Sequence, residues 1–181
     1  MTGFIKYTLI LTFCTCWDIY TTWLRSPDLS REQNPIVKYL GLNWIGFIIY
    51  QFALLIIMLI IVRCAIQTDF TILPTSSRLS ITQLFSHIYF GDLRPAWKIF
   101  LSFSSSFDRS WYFIAGILIY AIPLIHIAAG TSNLILYFSP SYVLWFNKSM
   151  MLNIIGTVFV TLFAISLFIF REYNAYKKKV G

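Results

Sequence analysis

Charge is scarce in this chain. Only 12% of its 181 residues are Asp, Glu, Lys or Arg, about half the share of an average soluble domain, which argues against a globule bathed in water. Acidic residues are the scarcest, seven against fourteen basic ones. Histidine occurs twice, at His87 and His126, and cysteine three times, at Cys14, Cys16 and Cys64. An odd set of cysteines inside apolar stretches, two of them on different sides of one helix, implies neither a disulfide framework nor a cysteine-based metal site. H-E-x-x-H, G-x-S-x-G, a glycine-rich phosphate loop and internal repeats are all missing from the sequence. The familiar hydrolase and nucleotide-binding signatures are missing with them.

Hydrocarbon fills the space. The chain is 58% apolar and 19% aromatic, and four stretches reach the roughly 20 residues that cross a bilayer as a helix: about 4–24, 42–66, 111–137 and 150–170. The expected fold is all-α, a single polytopic membrane domain over 1–181 with four transmembrane helices and a cytoplasmic connection, 67–110, between the second and third. The first span carries one weak basic residue, Lys6, has Trp17 and Asp18 in its distal part and lacks a small-residue cleavage site before Arg25. It reads as a retained helix rather than a signal peptide.

The net charge of +7 follows topology rather than a nucleic-acid face. With the N-terminus inside, ten basic residues (Lys6, Arg63, Arg78, Arg94, Lys98, Arg109, Arg171 and Lys177 to Lys179) fall on the cytoplasmic side, and four (Arg25, Arg31, Lys38 and Lys148) fall outside. That bias places both termini in the cytoplasm of a cell (inner) membrane protein. The lysines at the end then need no role beyond attraction to anionic lipid.

In the long connection, Ile81, Leu84, Phe85, Ile88 and Tyr89 share one helical face, and Trp97, Phe100, Leu101 and Phe103 follow after Pro95. One or two short interfacial helices are expected there, with their aromatics at the membrane surface; a platform for a partner is the alternative. Tyr142, Trp145 and Phe146 in the last outer loop have the composition of an aromatic belt.

The chemistry concentrates in the outer half of the spans. Thr8, Thr12, Thr15, Asp18, Thr22 and Arg25 recur every three or four residues on the first span, a polar stripe that must face other helices. The third span repeats the device with Gly116, Tyr120, Pro123, His126, Gly130 and Asn133. The second span brings Asn43, Tyr50 and Gln51, and the fourth brings Asn153, Thr157 and Thr161. A carboxylate inside a span costs about 2.5–3.5 kcal/mol at the bilayer centre and points to a site by default. Asp18 lies about 9 Å below the end of its helix at 1.5 Å per residue, within reach of water.

The expected site is a polar pocket open to the outside, lined by Asp18, His126, Asn133 and Asn153 and covered by the loop with Glu32 and Asn34. A histidine beside a carboxylate shifts the proton affinity of both, as proton handling requires; Asp, Glu and His could instead take a divalent cation. The plainer alternatives are that Asp18 only hydrogen-bonds threonines and Arg25, that His126 only bridges helices, and that the small residues only allow close packing.

The run Cys16-Trp17-Asp18-Ile19-Tyr20-Thr21-Thr22, then Glu32-Gln33-Asn34-Pro35-Ile36-Val37, resembles a family of small prokaryotic multi-pass membrane proteins of unknown function. Their shared pattern is an aspartate and a threonine late in the first span and Glu-x-Asn-Pro before the second. The resemblance covers roughly residues 10 to 66 and implies that Asp18, Thr22, Glu32, Asn34 and Pro35 act as a unit. It supplies no activity or cofactor, and this chain departs from it in its long connection and fourth span.

Function is expected to be that of an accessory or assembly module of the membrane, whose partners are the bilayer and a larger complex or a second copy of the chain, with its polar cluster locking helices or binding a small ligand or ion. The competing expectation is an outer-leaflet enzyme with Asp18, Glu32 and His126 as acid/base groups or metal ligands. A subunit of an oligomeric transporter is the third.

Overall fold

The computed structural model describes residues 2–32, 34–67, 73–74, 79–102, 104, 106–139 and 150–180. Their regular structure is helical throughout: α1 (Thr2–Arg25), α2 (Pro35–Leu40), α3 (Trp44–Gln67), α4 (Ile81–Phe90), a 3₁₀ turn (Ala96–Phe100), α5 (Phe107–Phe138) and α6 (Met150–Val180). Three segments, Trp44–Arg63, Phe107–Phe138 and Gly156–Val180, are long and apolar enough to cross a membrane. At 24 residues α1 has the length too, but Lys6, Asp18, Arg25 and six threonines dilute its apolar character. The belt residues Tyr142, Trp145 and Phe146 lie outside the described residues.

Two helices run further than the hydropathy predicts. α5 begins at Phe107 rather than Trp111, with Asp108 in its first turn, and α6 continues past Phe170 to Val180, with Lys177, Lys178 and Lys179 in its last. Both placements suit the helix macrodipole, which favours anions at the start and cations at the end. The lysines beyond the expected fourth span are therefore the final turn of a helix.

The chain forms two compact units, Met1–Ile60 with Ile122–Val160 and Ile61–Ala121 with Thr161–Gly181. In the second, α4 is bounded by strong local signals. Ser80 and Gln83 close a reciprocal capping box, and Gly91 ends the helix at φ 86°, a conformation glycine adopts without steric cost. Arg109 Nη1 donates to the carbonyl of His87 at 2.6 Å, and the Tyr176 hydroxyl accepts from Leu79 N at 2.9 Å. Leu84, Ile88 and Tyr89, three residues of the face expected on the membrane surface, are buried here among Phe90, Phe113, Phe168 and Tyr176. Leu93, Trp97 and Leu101 are exposed.

The first unit holds α1, α2 and the adjoining segments of α3, α5 and α6. Leu29, Val37 and Phe47 form a small core under the connection from α1 to α3. That connection is pinned twice more: the Trp44 indole donates to the carbonyl of Pro27, and Ser26 Oγ accepts from Arg31 N at 2.9 Å. The Ser30 hydroxyl and N–H bond Asp28 at 2.7 and 3.0 Å and hold its carboxyl below the usual carboxylate range.

Candidate functional site

The polar stripe of α1 meets the polar stripe of α5 within the first unit. His126 Nδ1 lies 2.9 Å from Asp18 Oδ2, with both side chains largely buried. Two turns further on, Arg25 Nη1 donates to Asn133 Oδ1 at 2.9 Å, and Asn133 Nδ2 donates to Thr22 Oγ1 at 3.0 Å. The Asp18–His126 and Arg25–Asn133 pairs share one sequence offset, 108. The two helices therefore run parallel and in register across this contact. Close approach is secured by Gly130, where an added Cβ would fall 2.5 Å from the Trp17 ring and 3.1 Å from Thr21 Oγ1. Small residues at an interhelical seam serve this purpose.

These groups line a cavity of about 660 Å³, within the size range of small-molecule sites. α1 contributes Leu11, Thr15, Asp18, Thr22 and Arg25, one face of the helix at intervals of three and four. Ile122, Ile125, His126, Ser132 and Asn133 come from α5, Phe47, Gln51, Leu55 and Met58 from α3, and Gly156, Thr157 and Val160 from α6. Glu32 and Asn34 line it from the connecting segment. The lining is graded. Beside the last turn of α1 it is polar and charged, and toward Leu11, Leu55, Met58, Ile122 and Val160 it is hydrocarbon. Thr15, fully buried between the two regions, has no hydrogen-bond partner for its hydroxyl.

Six of the predicted site residues share this cavity. Asp18, Thr22, His126 and Asn133 converge, and Glu32 and Asn34 reach the same cavity. Asn153 lies on α6, and its side chain is outside what is described. Thr8 and Thr12 do not line the cavity; the Thr8 hydroxyl bonds back to the Phe4 carbonyl. Glu-x-Asn-Pro has a local structural account as well. Glu32 Oε1 accepts from Asn34 N at 2.7 Å, Asn34 Oδ1 caps α2 by accepting from Ile36 N at 3.0 Å, and Pro35 opens the helix. Asn34→Ala is expected to cost about 1 kcal/mol, with Asn34→Asp close to wild type, when unfolding is followed in detergent.

Among the described residues no three His, Cys, Asp or Glu side chains gather as metal ligands. Asp18, Glu32 and His126 are thus not gathered as such a triad. Sequence reasoning passed over Arg25 and Ser132 as site residues. A signal for Arg25 was present: Asp18 to Arg25 and His126 to Asn133 are the same interval, so whatever register joins the first pair joins the second. Comparison with protein-family models, curated proteins and solved structures gives no match to this chain.

Proposed function

We propose that this chain is a four-span protein of the cell membrane with both termini cytoplasmic, and that it is a non-enzymatic accessory or assembly module whose cavity opens outward to hold a small ligand. The paired stripes of α1 and α5 carry the reading. α5 is apolar and long enough to span, and α1 contacts it in parallel over two turns through Asp18 and Arg25. A helix matched in that way lies at the same depth and crosses with it. Its other face supports this, because Leu9, Ile10, Phe13, Tyr20 and Trp23 are all exposed, as lipid contact requires. Leu93, Trp97 and Leu101, exposed beside Lys98, suit the cytoplasmic interface.

Two measurements test the proposal. A membrane-impermeant maleimide applied to intact cells is expected to label Ser30→Cys and to spare Ser104→Cys; the opposite pattern overturns the topology. Native mass in mild detergent, wild type beside Asp18→Asn, tests the module. Wild type is expected in an assembly larger than one chain, and the variant is expected to lose it.

One observation favours a second reading. Asp18 holds Nδ1 of His126, which leaves Nε2 as the nitrogen for acid/base work, the division of labour in carboxylate-oriented histidine catalysis. An outer-leaflet enzyme of this kind would lose turnover of a lipid or peptide in Asp18→Asn while its fold and assembly stayed intact.

A further inference from the structure

We propose that the cavity receives a hydrophobic cation, a protonated amine carried on an apolar body, with the ammonium between Asp18 and Thr15 and the hydrocarbon toward Leu11, Leu55 and Met58. The inference rests on the ligand-binding reading above and names its ligand class. Charge balance is the first argument. The titratable groups in the lining are Asp18 and Arg25 on α1, Glu32 on the connecting segment and His126 on α5; α3 and the described part of α6 add none. Glu32 and Arg31 both act on Arg25, which lies two turns beyond Asp18, so the side-chain partner beside the Asp18 carboxylate is the imidazole of His126. A carboxylate largely buried in this way favours a positive partner, and a cationic ligand supplies it.

The second argument is the orphan hydroxyl. Thr15 lies three residues before Asp18, is 1% exposed and lines the cavity, and its Oγ1 has no partner. An ammonium carries three donors and no acceptor, so it can serve the carboxylate and this hydroxyl together. An anion fits poorly. It would meet both carboxylates, and the one guanidinium already donates to Asn133 and lies in the field of Glu32. The hydrocarbon end supplies the rest of the recognition, since Leu11, Leu54, Leu55, Met58, Ile122 and Ile125 offer the ligand's body no polar group.

The test uses the full chain in detergent, titrated calorimetrically with hexylammonium, hexanol and hexanoate at about pH 8, where an alkylamine is protonated, with empty micelles as the blank. Hexylammonium is expected to bind at least about tenfold tighter than either analogue.

Asp18→Asn is expected to abolish the preference, and His126→Gln to keep it. Thr15→Val is expected to weaken hexylammonium several-fold without weakening hexanol, and it keeps the test open if Asp18→Asn does not fold. Hexanol or hexanoate binding as tightly as the amine overturns the cation inference and leaves the ligand reading standing. If none of the three binds, the ligand reading falls and takes the inference with it.

Discussion

Replacing Asp18 with alanine is expected to destabilise the protein by about 3 kcal/mol, the lower end of the 3–5 kcal/mol seen when one partner of a buried pair is removed. The lower end applies because the partner left behind is an imidazole, for which the loss is that of one hydrogen bond at a largely buried site. His126→Ala is expected to cost more, since it strands a carboxylate 2.9 Å from where its partner stood and a buried charge costs more to leave unpaired than a neutral group. Asp18→Asn with His126→Gln together are expected to lie nearer wild type than the sum of the two single changes, because two neutral hydrogen-bonding groups replace two ionisable ones. Unfolding in mixed micelles measures wild type and all of these variants on one scale. If Asp18→Ala falls within about 0.5 kcal/mol of wild type, the effect of an ordinary surface change, the pair is not holding α1 to α5.

A second large effect belongs to the other unit. A methyl added at Gly116 would lie 2.2 Å from Cε2 and 2.6 Å from Cδ2 of Phe168, closer than atoms approach. The ring has nowhere to go. It is fully buried, packed edge-on against Phe113 and Tyr112 at centroid distances of 5.7 and 5.9 Å, with the Arg171 guanidinium 5.4 Å from its centre. Gly116→Ala is therefore expected to cost about 1–3 kcal/mol by overpacking, and Phe168→Ala about 3–5 kcal/mol by opening a cavity. In the Phe168→Ala background the added methyl should cost almost nothing, because the atoms it met are gone. Equal cost in both backgrounds would place the strain of Gly116→Ala elsewhere.

Much of the fold is written in the order of residues. Sustained apolar runs mark α3, α5 and α6, and the helical spacing of Ile81, Leu84, Phe85, Ile88 and Tyr89 marks α4. The full lengths of α5 and α6 are not visible to hydropathy, because the added turns at Asp108 and Lys177 to Lys179 are stabilised by dipole and core contacts rather than by lipid. The site divides in the same way. Threonine and aspartate spacing on α1 reveals a face that must be covered. Which residues cover it depends on the register of two helices separated by more than eighty residues of chain, and periodicity within either helix carries no information about that. Asn34 lines the cavity, and its oxygen also caps α2 by accepting from Ile36 N, a backbone partner that side-chain chemistry alone does not suggest.

The offset of 108 between α1 and its partners also sets a clock. A ribosome adds about 5 to 20 residues per second, so Asp18 and Arg25 emerge on the order of 5 to 20 seconds before the histidine and asparagine that satisfy them. Through that interval the polar flank of α1 lacks the α5 groups that satisfy it. The first helix made therefore settles only once α5 has followed, and any delay in delivering α5 lengthens the time α1 stands exposed to quality control.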